Sequence, residues 1–231
     1  MKINPTITFG WSADVWNHAF TISREVQKIL HRKNLKILEI GAGKHSQVAY
    51  VFDKTQSNIT IGFYSESYRN YLKEVLSKNI KNYNLVSKYE LSYIDALDLK
   101  EKYDVIILKS VLGGIFRGDD FSKAEEFCHK TVRDNLNSNG ALITIDNGKS
   151  CFELFLRYFG ARKNNWHFTS MDELLSANEK VGFGFLSAFS SSRRFGLAGI
   201  ILEKLLYYID LMLSFLTKFK PTVICSVFLK I

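Results

Sequence analysis

Proline occurs only twice and cysteine only three times in the 231 residues. With so few prolines, no internal repeat and no low-complexity stretch, no interdomain linker stands out, and the length suffices for one sizeable core. Cys128, Cys151 and Cys225 are scattered, odd in number and form no CxxC pair. That argues against a disulfide framework or a thiolate zinc site, so no metal is expected, and it suits idle or buried thiols in a reducing cytoplasm. Long apolar runs are missing as well. The nearest approach, "FGLAGIILEKLLYYIDLMLSFLTKF", is interrupted by Glu203, Lys204 and Asp210, so no ordinary membrane span is expected. The opening "MKINPTITFGWSADVW" has no continuous apolar stretch behind a basic head and does not read as a secretory signal. Acidic residues are the minority charge: 31 Lys and Arg against 23 Asp and Glu give a net +8. That balance suits an anionic partner (phosphates, nucleic acid or an acidic membrane surface) or simply a solvated basic surface.

What is present is an alternation of strand-like and helix-like segments. Val15, Ala19, Ile22, Val26 and Leu30 recur at helical spacing and predict a helix over about 13–32. Leu35–Ile40 reads as a short strand, with a helix opening at Ser46–Phe52. Strands follow at Ile59–Tyr64, Tyr89–Ile94, Tyr103–Lys109 and Ala141–Asp146, with helices at Tyr68–Ser77 and Phe121–Leu136 between them. The fourth strand, "YDVIILK", is apolar throughout its middle, as strands buried on both faces are. Asn139-Gly140 suits a left-handed helix stop. Repeated strand–helix units imply right-handed crossovers and a doubly wound α/β sheet in one domain.

In such a sheet, ligands sit beyond the carboxyl ends of the strands. The first strand runs straight into "LEIGAGKHS", which carries Gly41 and Gly43. Glycine there permits a tight turn and a close backbone approach. A dinucleotide site would continue G-x-G-x-x-G. Here Ser46 stands at the third glycine position, and Glu39 precedes the turn. An acid aimed at the turn would repel pyrophosphate but suits a ligand bearing an ammonium or sulfonium charge, which points to S-adenosylmethionine.

"LEIGAGKHS" resembles the E-x-G-x-G cofactor loop of class I S-adenosylmethionine-dependent methyltransferases. "ITIGFYSES", "YIDALDL", "YDVIILKSVLGGI" and "NLNSNGALITIDN" resemble that family's later segments in order, covering roughly 35–147. The resemblance implies a mostly parallel, seven-stranded Rossmann-like sheet, an N-terminal helical segment (1–34), a cofactor-binding core (35–147) and substrate-side elements with the last strands (148–231). It places Gly41, Ala42 and Gly43 in the cofactor loop and Glu39 near the methionine ammonium. Asp95 would accept from the adenine amino group, with the Ala96 N–H nearby, and Lys109 and Ser110 would leave the fourth strand beside the methionine end. One position departs: where the family ends its second strand with an acid that clamps both ribose hydroxyls, this chain has Tyr64. A phenol cannot clamp a diol in bidentate fashion; Glu66, two residues on, is the alternative acid.

Methyl transfer needs in-line positioning, plus a base where the nucleophile is a hydroxyl. His45, in the cofactor turn, and Asp146, at the tip of the fifth strand, are the favoured bases among His45, His129, His167, Asp119, Asp120 and Asp146. The run "KSVLGGIF" lacks the Asn/Asp-Pro-Pro-aromatic pattern of amine and nucleic-acid methylating branches. Trp11, Trp16 and Phe20 read either as a lid over the cofactor or as packing. "KVGFGFLSAFSSS" and "PTVICSVFLKI" read as the strands of the last hairpin, expanded by an apolar helix over Gly199–Phe219. That helix is apolar on most of its surface and bordered by Arg193, Arg194, Lys218 and Lys220. It suits core packing, a homodimer, or a lipid surface or lipid-linked substrate at the inner membrane face. The expectation is a cytoplasmic O-methyltransferase acting on a small molecule, sugar or lipid-linked glycan. An RNA methyltransferase and a non-catalytic binding protein that retains the fold are the alternatives.

Overall fold

The centre of the sheet is built from strands that their own composition buries. In the computed structural model, which describes residues 13–43, 47–149, 166–183, 192–214 and 220–231, β1 (Lys36–Ile40), β2 (Asn58–Phe63), β3 (Lys88–Tyr93), β4 (Tyr103–Lys109) and β5 (Leu136–Asn147) are parallel neighbours. β7 (Val223–Leu229) runs antiparallel to β5, and β6 (Glu179–Phe183) antiparallel to β7. The seven strands lie in the order β3-β2-β1-β4-β5-β7-β6. The order reverses between β1 and β4, so their carboxyl ends flank the crevice where such sheets bind ligands.

Alternation divides the apolar residues between two layers. Ile37, Val105, Ile107, Ile143 and Val227 face α1 (Ala13–Ile22), α2 (Arg24–Leu30) and a 3₁₀ turn, Val48–Thr55. Leu38, Ile106, Leu108, Leu142 and Phe228 face α4 (Leu112–Ile115) and α5 (Lys123–Asn135). α3 (Arg69–Tyr83) covers the β2–β3 side through Leu76, which packs with Tyr50 and Leu85. α6 (Ser192–Ser214) lies between β6 and β7 in the chain and starts seven residues before the Gly199 expected for the apolar helix; among the described residues no helix is long and apolar enough to cross a membrane.

Three local expectations are corrected. The helix over 13–32 is two helices, broken at Ser23, because the Glu179 carboxylate of β6 accepts the N–H groups of Arg24 (2.6 Å) and Glu25 (2.9 Å). A helix start capped by a carboxylate satisfies donors that a continuous helix would have used internally. The segment after β1 is a 3₁₀ turn, not an α-helix. It is pinned where Glu39 accepts the Ala49 N–H (2.7 Å) and where Asp53 accepts the N–H of Val86 and Ser87 and the Tyr89 hydroxyl (2.7 Å). Asn139 is left-handed (φ 59°) but stops no helix. α5 already ends at Asn135, and Asn139 sits in an irregular start of β5, where the pairing steps from Tyr103–Leu136 to Val105–Ala141. Trp11, Cys151, Lys218 and the end of the expected apolar helix lie outside the described residues. Phe20 packs rather than covers: it is fully buried, edge-on to Phe52 at 5.9 Å.

Candidate active site

The turn after β1 holds both glycines in left-handed conformations, Gly41 at φ 81° and Gly43 at φ 54°. Their surroundings differ. A Cβ on Gly41 would lie 2.3 Å from the Val111 Cγ2 and 2.9 Å from the Lys109 carbonyl oxygen, so the fold itself demands this glycine. Among the described residues, a Cβ on Gly43 would meet nothing nearer than the Gly41 carbonyl oxygen at 3.8 Å. Ala42 between them is buried. His45 lies outside the described residues.

Glu39 is fully buried and faces the same layer as Lys109. Burial lowers the Lys109 ammonium to about 8, while Glu39 and then Asp146 act to raise it. Ser110, straight after β4, has φ 52°, which is uncommon for a residue with a Cβ, and donates its N–H to the Ile145 carbonyl at 2.8 Å. Such strain persists where the surroundings over-determine it, often at a functional site. Asp95 follows β3; its Oδ1 accepts the Leu97 N–H at 2.9 Å, and the residue is exposed beside half-buried Ala96.

Asp146 is not at an open strand tip. It is 2% exposed, on the α5 layer of β5, and neither carboxylate oxygen has a hydrogen-bond partner of ordinary geometry among the described residues. Burial raises its carboxyl to about 7; Thr144, the Leu112 and Val111 N–H groups and Lys109 are near enough to ease the charge only in part. A carboxylate in that position cannot reach an acceptor in the crevice. The sequence reading took it for a base because a strand-end Asp in this topology is ordinarily exposed.

No protein-family model and no curated protein matches the chain. Solved structures do. An S-adenosylmethionine-dependent methyltransferase from Methanosarcina mazei aligns over 89% of this chain and 97% of its own, with a TM-score of 0.56 and 14% identity. A structure from Galdieria sulphuraria, described as a candidate sarcosine dimethylglycine methyltransferase, covers 90% of this chain and 83% of its own, with a TM-score of 0.56 and 14% identity. The fold is that of the class I S-adenosylmethionine-dependent methyltransferases. Coclaurine N-methyltransferase, solved with N-methylheliamine and S-adenosylhomocysteine, shares it over 88% of this chain and 70% of its own, with a TM-score of 0.53 and 13% identity.

On this methyltransferase fold, the expected residues around Gly41–Gly43, Asp95 and Ser110 all follow the carboxyl ends of β1, β3 and β4. The second strand is the exception. β2 ends at Phe63, and Tyr64, 63% exposed, contacts Tyr68 with ring centroids 5.6 Å apart. The neighbouring Tyr68 hydroxyl, more than burial, raises the Tyr64 phenol. Glu66 is exposed in the short turn Glu66–Tyr68, 3.6 Å from the Arg69 guanidinium. Tyr93, the last residue of β3, and Leu97 beyond it are also exposed. This edge of the sheet therefore exposes Tyr64, Tyr93 and Leu97 alongside Glu66 and Asp95, with a phenol in place of an acid straight after β2. Sequence reasoning named His167 without a partner and missed Glu173: both lie in 166–183, where no periodicity signals their meeting. Among the described residues no cluster of three or more His, Cys, Asp or Glu is placed to hold a metal ion.

Proposed function

We propose that this chain is an S-adenosylmethionine-dependent methyltransferase whose acceptor is a small molecule offering an oxygen nucleophile, free or as a sugar or lipid-linked glycan. The observation that carries the reading is the pair of left-handed glycines in the β1 turn, with Gly43 clear of other described residues to 3.8 Å, beside the strained Ser110 that follows neighbouring β4. The turn around Gly41–Gly43 would hold the methionine end against backbone N–H groups, and buried Glu39 would supply negative charge toward an ammonium. Asp95 and the Ala96 N–H would meet adenine. When bound, S-adenosylmethionine supplies a methyl group already activated on sulfur, so the protein's work is orientation, exclusion of water and removal of a proton.

Calorimetry with S-adenosylhomocysteine tests the cofactor, and transfer of labelled methyl into fractionated cell extract tests the acceptor class. Micromolar binding with label in the small-molecule or lipid fraction supports the reading; no binding refutes it. A second reading, a binding protein that keeps the fold without turnover, draws on the missing carboxylate after β2, and binding without transfer to any fraction would select it.

We also propose a partner surface. Ile201, Leu205, Tyr208 and Met212 on α6 are all exposed and spaced by four, three and four residues. That is the spacing of a helix–helix seam. The opposite face is engaged, with the Tyr207 hydroxyl 3.1 Å from the His18 Nδ1 and its ring against Phe183. The occupant proposed for the seam is a second copy of this chain.

A further inference from the structure

A histidine–carboxylate pair lies beside the end of β4. His167 Nε2 is 3.0 and 3.1 Å from the two oxygens of Glu173, whose Oε2 also accepts the Ser170 N–H at 2.9 Å. The imidazole stacks on buried Phe121 at 3.8 Å and 14°, which fixes its plane. The main chain fixes its place. His167 donates its N–H to the Gly113 carbonyl (3.0 Å), three residues beyond strained Ser110. Thr169 then exchanges hydrogen bonds with the end of β5: its N–H goes to the Asn147 carbonyl (2.9 Å), and its own carbonyl receives the Lys149 N–H (2.8 Å). The glycines are part of the arrangement, since a Cβ on Gly113 would come within 2.2 Å of the His167 carbonyl oxygen and one on Gly114 within 2.7 Å of the Trp166 ring. The pair is thus strapped across the carboxyl ends of β4 and β5, and the His167 side chain keeps 20% of its surface exposed.

We infer that His167 is the general base for the acceptor and that Glu173 is its positioning residue; this rests on the methyltransferase reading above. A carboxylate on Nε2 selects the neutral tautomer protonated there and leaves Nδ1 as the basic atom. As the acceptor oxygen forms its bond to the methyl carbon, the O–H proton passes to Nδ1 and the C–S bonding pair stays on sulfur. The resulting imidazolium, stabilised by Glu173 and the Phe121 face, returns its proton to water.

Two measurements decide it. In protein with labelled histidine, saturating S-adenosylhomocysteine should shift the His167 ring resonances, and Glu173→Gln should weaken the preference for the Nε2-protonated tautomer, read from the ring nitrogen shifts. In labelled methyl transfer to cell extract, His167→Gln should lose about 10²–10⁴-fold in rate and the rising limb of the pH profile, while its affinity for S-adenosylhomocysteine stays within about twofold; Glu173→Gln should lose less in rate, with its affinity for S-adenosylhomocysteine likewise within about twofold. Wild-type rate and profile in folded His167→Gln would overturn the assignment while leaving the methyltransferase reading intact. A His167 resonance indifferent to bound S-adenosylhomocysteine would overturn it even where no extract fraction is methylated. Failure of wild-type protein to bind S-adenosylhomocysteine would instead remove the underlying reading, and the inference with it.

Discussion

Asp146→Asn should make the protein more stable at pH 8 and no more stable at pH 5. The folded carboxyl titrates near 7, against an ordinary 3.8. Below about pH 4 it is protonated whether the chain is folded or not. Between there and about pH 7 only the folded state holds the proton, so stability falls as pH rises and the loss is complete above 7. Three pKa units correspond to about 4 kcal/mol on ionisation. An amide of the same shape carries no charge, so it escapes that cost but leaves polar atoms buried without good partners, at about 1–3 kcal/mol. Lys109 also loses one of the two anions that favour its charge, which takes back part of the gain. A net stabilisation of about 1–2 kcal/mol at pH 8 remains, shrinking to zero or reversing at pH 5. Urea unfolding followed by tryptophan fluorescence at both pH values measures it. A mutant less stable than wild type at pH 8, or a difference that does not change with pH, would refute the account of Asp146 as a buried, poorly compensated acid.

Tyr64→Asp should tighten S-adenosylhomocysteine binding about tenfold by calorimetry, since hydrogen bonds to a charged acceptor are worth about 1.5–3 kcal/mol each and the exposed ring gives up little packing; weaker binding would mean that the phenol is itself a contact. Gly41→Val should unfold or distort the turn, because its side chain enters the space of Val111 and the Lys109 carbonyl, whereas Gly43→Ala should keep the thermal midpoint within a few degrees and weaken cofactor binding. Leu205→Glu should turn a dimer into a monomer by light scattering, because it puts a charge in the exposed seam of α6; a monomeric wild-type protein would remove the seam's proposed occupant.

The central strands β1, β2 and β4 were legible because each is a short apolar run bounded by turn residues, whereas β3, "KYELSY", has no buried residue and β5 begins five residues before the expected Ala141. "YDVIILK" became β4 with the bounds its composition suggests, and the misplacements of β2 and β3 amount to one residue. What local pattern could not show is where distant groups intervene. Nothing near Ser23 announces that Glu179, 154 residues from Glu25, will cap the helix that restarts there. Nothing in the spacing of a carboxyl-terminal Asp says that its side chain will turn under α4 instead of toward solvent.

Gly41 shows how a correct residue can be chosen for an incomplete reason. Read from the sequence, the glycine clears room for a ligand. In the structure, the room its missing Cβ clears is taken by Val111 and the Lys109 carbonyl, so its absence of a side chain lets the β1 turn close against the end of β4. That closure brings the turn against the segment that bears Lys109 and Ser110. Among the described residues, a Cβ on Gly43 would meet nothing nearer than the Gly41 carbonyl oxygen at 3.8 Å, so Gly43 is where the proposed ligand would come against the turn. The two glycines of one motif thus divide its work, and only the second tests ligand binding without first testing the fold.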